Sequence, residues 1–169
     1  MTFRDRIREL RHVPAKDLRP NPKNWRTHPK AQADALRGVL AEIGLADACL
    51  ARELPDGSLM LIDGHLRAET AADSVLPVLV LDVTEEEADR LLLVFDPLSS
   101  MAGTDKQRLD ELLRCVQTGS EAVAEMLDDL AADAGLYQAE GDTDSTLTGD
   151  DAEVVATCPR CGGAAEKLT

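Results

Sequence analysis

The chain has 169 residues, 44% of them apolar, and a net charge of −14, which suits one domain of ordinary size with room for small appendages. Aromatics are only 2% (Phe3, Trp25, Phe95 and Tyr137), so the core must be aliphatic and a stacking platform for single-stranded nucleic acid is excluded. No apolar run approaches ~18 residues and the N-terminus is charged, which argues against a membrane span or secretory signal and for a cytoplasmic protein. Charge is unevenly spread: residues 1–37 hold ten Lys/Arg against four Asp/Glu, a balance of +6 that leaves −20 for the rest. Such a basic arm suits nucleotide or DNA phosphate, or else it pairs with the protein's own acids.

In chain order, Phe3, Ile7 and Leu10 have helical spacing, predicting a short amphipathic helix over residues 3–10. Val13 to Leu18 reads as a first strand. Arg19 to Pro29 is predicted to be a loop, because its three prolines defeat helix and sheet alike. It carries Asn21, Trp25, Arg26 and His28, and reads either as a wall of a binding site or as a connector plugged by Trp25. Lys30 to Ile43 is predicted to be a helix with Ala33, Leu36, Val39, Leu40 and Ile43 on its apolar face, stopped by Gly44. Ala48 to Glu53 and Ser58 to Ile62 flank Pro55-Asp56-Gly57 and form a predicted hairpin.

The second strand of that hairpin delivers the chain to Asp63-Gly64-His65-Leu66-Arg67-Ala68-Glu69, around which the rest is organised. An apolar strand enters a glycine and leaves in a helical pattern, so the Gly64 turn should sit at a helix N-terminus whose amides face outward and attract anions. His65, as a hydrogen-bond donor, and Arg67, as a fixed cation, stand where they could close over a phosphate. The plain alternative is a strand-to-helix turn with Arg67 solvated or paired to Glu69 or Asp63.

Beyond the helix at 65–73, Pro77 to Val83 is a predicted strand buried on both faces. Thr84 and Glu87 form a capping box for a helix through Ala88, Leu91, Leu92 and Phe95, predicted to stop at Asp96-Pro97. Asp105 begins another helix (Leu109, Leu112, Leu113, Val116), and Glu121 to Ala134 makes a further one with Val123, Met126, Leu127 and Leu130 inward. The fold class is therefore α+β, a small mixed sheet of about four strands with packed helices, followed by a helical extension over 105–137. Residues 138–153 are acidic and read as a disordered linker. The tail, 154–169, holds Cys158-Pro159-Arg160-Cys161, half of a zinc ribbon. Cys158 and Cys161 are candidate zinc ligands in a shared or incomplete site, since tetrahedral Zn²⁺ needs four ligands. Cys49 and Cys115 read as buried apolar residues.

Taken together, Asp17-Leu18-Arg19-Pro20-Asn21-Pro22 with Arg26, the Gln32 to Gly44 helix, the Leu61 to Ala68 box, the Pro77-Val78 strand and the helix ending at Asp96 resemble the ParB N-terminal/sulfiredoxin-like superfamily over residues 13–117. The likeness implies a nucleotide-binding domain over 1–104 whose ligand is a nucleoside triphosphate, CTP or ATP, with or without Mg²⁺. It implies that Gly64, His65 and Arg67 contact phosphates, with Arg26 and the Asn21-Pro22 loop beside base or ribose. His28 joins them as a candidate ligand. The resemblance is closer to phage or mobile-element domains associated with DNA methyltransferases than to chromosome partition proteins. Where partition proteins carry a Glu-Asn-x-Gln-Arg type motif, this chain has Phe95-Asp96-Pro97-Leu98-Ser99. The cysteine that sulfiredoxins place between glycine and histidine is missing, since His65 follows Gly64 directly.

The expected function is a ParB-like nucleotide-binding regulatory domain in a DNA-linked process. As an NTPase or phosphotransferase, or as a metal-dependent nuclease, the chain would use Asp63, Glu69 and Asp96 as base or metal ligands. As an interaction module it would dock a methyltransferase or other DNA-processing protein. Expected partners are thus nucleotide, DNA through residues 1–37, such a protein, and a second copy in a homodimer, with no membrane.

Overall fold

A computed structural model describes residues 2–137; the acidic linker, Cys158 and Cys161 lie outside the described residues. One compact unit runs to Ala102 and a second begins at Gly103. The first contains β1 (Ile7–Pro14), a single 3-10 turn (Ala15–Asp17), β2 (Leu18–Arg19), α1 (Lys30–Glu42), β3 (Cys49–Glu53), β4 (Leu59–Asp63), α2 (His65–Thr70), β5 (Val75–Leu81) and α3 (Glu85–Ser100). The second contains α4 (Lys106–Cys115) and α5 (Glu121–Asp133).

The five strands form one mixed sheet in the order β1-β5-β3-β4-β2. β5 pairs antiparallel with β1 and parallel with β3, β3 and β4 form the expected antiparallel hairpin, and β2 runs parallel to β4. Side chains alternate between faces along each strand, so neighbouring residues enter different clusters. Cys49, Ala51, Leu61, Leu76, Val78 and Val80 build the larger core, on which Ala68 and Ala71 of α2 pack. Ile62 and Leu81 join Ala88 of α3 in a second cluster, with Leu50, Leu79, Val83 and Leu91 around it.

The amphipathic helix predicted over residues 3–10 is instead the start of an edge strand. Ile7 and Leu10 pair with Leu81 and Leu79, while the side chains of Phe3, Ile7 and Leu10 stay exposed. A buried strand such as β5 has amides and carbonyls along both edges, and pairing the outer row outweighs the 3-residue apolar spacing of the arm. Likewise the stretch from Val13 to Leu18 is not one strand, because the 3-10 turn divides it.

α1 ends as expected: Gly44 adopts φ 91 and its amide donates to the Leu40 carbonyl, 3.0 Å. Of its apolar residues, however, only Ala35 is fully buried and Ile43 is exposed. α3 begins with the predicted capping box, Thr84 and Glu87 satisfying each other's amides. It does not stop at Asp96-Pro97 but carries Pro97 inside and continues to Ser100. The proline is exposed, where the loss of one amide and a bend are tolerated. Ser99 and Ser100 hydroxyls donate to the Phe95 and Asp96 carbonyls, 3.1 and 2.9 Å, closing the last turn.

In the second unit, Asp105 and Ser120 cap α4 and α5. Its core is Leu113, Ala131 and Leu136 with Leu109 and Leu127 against it. Met126 and Leu130, expected inward, are exposed, and so is Cys115, expected in a core. Among the described residues no helix is long and apolar enough to cross a membrane.

The N-terminal arm is fastened to α3 by Arg6, whose Nη1 and Nη2 meet the two Glu87 oxygens at 2.9 and 2.7 Å. The Arg6 guanidinium, followed by the Thr84 amide, holds the Glu87 carboxyl down to about 2. A group depressed in the folded state contributes stability above its unfolded value, ~4.3 for Glu, and loses it as pH falls towards the folded value. Glu87→Gln is therefore expected to lower Tm at neutral pH, with the gap to the parent closing as pH falls from ~4.3 towards 2, read by thermal melts across that range. Leu76→Ala, at a fully buried site, should cost roughly 2–5 kcal/mol in a urea titration.

Candidate functional site

Gly64 ends β4 and stands at the N-terminal cap of α2 with φ 89 and no side-chain cap. The first backbone bond of α2 runs from the Ala68 amide to the Gly64 carbonyl, 2.9 Å. The amides of His65, Leu66 and Arg67 lie ahead of it, and these are the donors a helix leaves open at its start. Glycine is required twice over here. Its φ is left-handed, and a Cβ at this position would lie 2.6 Å from Cys49 Sγ and 2.9 Å from Arg67 Nη1.

Arg67 folds back across this turn. Its Nη1 donates to Cys49 Sγ at 3.6 Å, and its Nη2 forms an ion pair with Asp47, on the loop between α1 and β3. The Arg67 side chain is largely covered, 15% exposed, whereas the Asp47 side chain is 72% exposed. Neither Glu69 nor Asp63, the carboxylates weighed from the sequence, takes the pair. Cys49 is fully buried and donates to the Gly64 carbonyl at 3.7 Å. Burial pushes its thiol up, partly offset by Arg67.

His65 is buried, and its Nε2 accepts the Asn21 backbone amide at 3.1 Å. A ring nitrogen that accepts carries no proton, so the neutral ring holds its hydrogen on Nδ1. Burial lowers the His65 pKa against the raising effect of Asp63 and Glu69, and His28 adds a small lowering effect. The imidazole therefore anchors the 19–29 loop as an acceptor, and any donation to a ligand falls to Nδ1.

That loop is held at further points. Asn21 is buried and its side chain accepts the Lys23 amide, 2.9 Å. Lys23 Nζ reaches Glu85 and Asp89 at 3.1 and 2.6 Å. The Trp25 indole N–H donates to the Leu92 carbonyl, 3.3 Å, with the ring about half exposed. Arg26 lies over that ring, 4.5 Å from its centroid, and its Nε meets Asp96 at 2.6 Å. His28 Nδ1 is 3.0 Å from Gln32 Oε1. Beside α2, a cleft of about 190 Å³ is lined by Ala15, Lys16, Leu18, Pro20, His65 and Glu69 among others.

The structure thus gathers Gly64, His65, Arg67 and Asn21 at one turn. Arg26 and Asp96 form a separate pair against α3, and His28 is bonded to the first turn of α1. Asp63 and Glu69 both act on His65, whereas Asp96 is paired with Arg26; among the described residues no group of three or more His, Cys, Asp or Glu side chains could hold a metal ion. Asp47 and Cys49 were not foreseen as parts of the turn. Asp47 belongs to no motif, and Cys49 reads as an ordinary core residue.

Eight of the ten basic residues of the arm are paired within the chain. Arg6, Arg8, Arg11, Arg19, Lys23, Arg26, Lys30 and Arg37 all form ion pairs with carboxylates of this chain. Their charge is largely neutralised where it stands.

No protein-family model matches the sequence, and no curated protein matches it. Among solved structures the fold is that of a ParB-like protein. The C-terminally truncated chromosome-partitioning protein ParB from Caulobacter crescentus, complexed with CTP-gamma-S, superposes with a TM-score of 0.56 at 18% identity, covering 73% of this chain and 79% of that one. The same protein on the centromeric parS site gives 0.45 at 17% identity, covering 70% and 64%. Sulfiredoxin from Arabidopsis thaliana gives 0.42 at 18% identity, covering 51% and 99%. At these identities the likeness is one of fold.

The hydrogen bond from Asn21 fixes a testable state of His65. Side-chain nitrogen NMR should find the Nδ1–H tautomer at neutral pH and a titration midpoint below the ~6.5 of a free imidazole. Because the folded ring resists the proton that the unfolded chain accepts, stability should fall as pH drops through ~6.5. An Nε2–H tautomer, or a midpoint above ~6.5, would contradict the arrangement.

Proposed function

We propose that this chain is a ParB-like regulatory domain that binds a nucleoside triphosphate, CTP or ATP, in a DNA-linked process. The observation that carries the reading is the uncapped, glycine-started α2 with Arg67 drawn across its N-terminus. Open amides and a guanidinium on one turn are the donor set that phosphate oxygens take. The likeness to a ParB solved with CTP-gamma-S supports a nucleotide as the ligand. In this arrangement the phosphates meet the amides of His65 to Arg67, and the nucleoside end enters the cleft between Pro20 and α2. Asn21, held by His65, follows Pro20 of that cleft in sequence, while Arg26 and His28 stand further along the same loop.

Binding is favoured over catalysis because Asp96 is engaged as the partner of Arg26, apart from Asp63 and Glu69 beside His65, and the described residues hold no group of three metal-capable side chains. A nuclease would need those carboxylates around a metal. The output in this reading is carried by the helical extension, 105–137, towards a second copy or a DNA-processing partner such as a methyltransferase. With the basic arm paired internally, contact with DNA belongs to that assembly more than to residues 1–37.

Thermal shift with CTP, ATP, GTP and ADP, each with and without Mg²⁺, tests the reading. A triphosphate at a hundredfold its Kd should stabilise the parent by about 2.7 kcal/mol. Arg67→Ala should weaken binding roughly ten- to hundredfold, the loss of a charged hydrogen bond. Identical melts with every ligand would overturn the proposal.

A further inference from the structure

The 19–29 loop is tied to two helices by bonds of different chemistry. Lys23, Trp25 and Arg26 hold it to α3 through ion pairs and an indole N–H, and none of those groups changes charge near neutral pH. Towards α2 it is held by the Asn21 amide, which donates to His65 Nε2 at 3.1 Å. Asn21 is the pivot of a small turn, its side-chain oxygen accepting the Lys23 amide and its carbonyl the Asn24 amide, 2.9 and 3.0 Å. Both Asn21 and His65 are buried, each 7% exposed. The chain has three histidines: His12 lies in the edge strand β1, His28 is bonded to Gln32, and His65 alone serves as acceptor for a buried backbone amide.

An acceptor that can itself take a proton is a different partner from a carbonyl. A proton on Nε2 sets N–H against N–H and puts a charge on a covered ring. We infer that His65 is a pH-sensitive latch, in which a proton on Nε2 releases the Asn21 turn from α2 while the sheet stays folded. Pro20 and His65 both line the cleft beside α2, so release shifts one wall of that cleft. The latch belongs to the free chain and does not depend on which ligand the cleft takes.

The charges around the ring set the direction of the response. Burial lowers the His65 pKa, Asp63 from β4 and Glu69 from α2 raise it, and His28 from the loop lowers it. Lys16, from the 3-10 turn, shares the cleft lining with the ring, and its positive charge opposes a second one. Asp63 and Glu69 are exposed, so water screens them and burial prevails. Once released, the ring meets water and its pKa returns towards ~6.5. The closed state is therefore complete above ~6.5 and loses ground as pH falls below it.

Amide hydrogen exchange of the full chain, measured from about pH 7.5 to about pH 5 on the parent, His65→Gln and His28→Gln, tests the latch. Glutamine offers an acceptor oxygen in place of Nε2 and takes no proton in this range. In the parent, protection of the Asn21 amide should fall by up to about tenfold per pH unit below ~6.5, while the β5 amides keep theirs. His28→Gln should behave as the parent does, and His65→Gln should hold Asn21 at a protection that does not change with pH. Level protection of Asn21 in the parent below ~6.5 overturns the latch without recourse to any variant. A loss of β5 protection in step with Asn21 overturns it as well, since that is unfolding of the sheet, and so does a pH dependence that survives in His65→Gln.

Discussion

Three groups meet at residue 64 with no room between them: the backbone of a left-handed glycine, the thiol of Cys49 and the guanidinium of Arg67. The contact joins β3, β4 and α2, which are the elements that set the direction of the turn. Because the glycine has no side chain, Cys49 can be wholly buried beneath it and Arg67 can lie flat against it. Glycine at the cap position likewise leaves the first turn of α2 without a side-chain cap. The other residues of the candidate site are arranged about this contact. His65 ties in the proline-rich loop from one side, and Asp47 ties in the loop after α1 from the other.

The electrostatics point the same way. A sequence divided into a +6 arm and a −20 remainder suggests long-range fields, yet the folded chain sets the two against each other at short range. Arg6 with Glu87, Lys23 with Glu85 and Asp89, and Arg26 with Asp96 all join the first 37 residues to α3. Pairs this exposed contribute little each. The pairs of Lys23 and Arg26 together tie the loop at 19–29 to α3. The price of that arrangement is a weaker attraction for duplex DNA along the same surface.

Much of this was legible beforehand, and the parts that were not share a cause. The Gly44 stop, the Thr84–Glu87 box, the hairpin around Pro55-Asp56-Gly57 and the Gly64 turn are local, each written by residues within a few positions of one another. The N-terminal strand is decided by what β5 lacks 70 residues away, so Phe3, Ile7 and Leu10 could suggest only their own periodicity. Pro97 stays within α3 because its exposed position leaves room for a bend, which a proline rule cannot see. Met126, Leu130 and Cys115 are apolar residues whose exposure depends on how two helices roll together. At the turn, Gly64, His65 and Arg67 were marked out by the strand–glycine–helix pattern, which left a plain turn open, and by the resemblance that covers them. Asp47 did not, because its partner lies 20 residues on and no pattern connects them.

The sheet's two borders differ in kind but end alike. On one side β1 is irregular between Ile7 and Glu9 and is crowded by Arg8 and Arg11, which pair with Glu53, and by Glu9, which pairs with Arg11. On the other, β2 offers only two residues. Neither is a long, flat, neutral row of amides onto which a foreign strand could zip. Crowded copies of this domain are thereby discouraged from stacking into fibrils, and any higher-order assembly is steered towards contacts between helices or side chains.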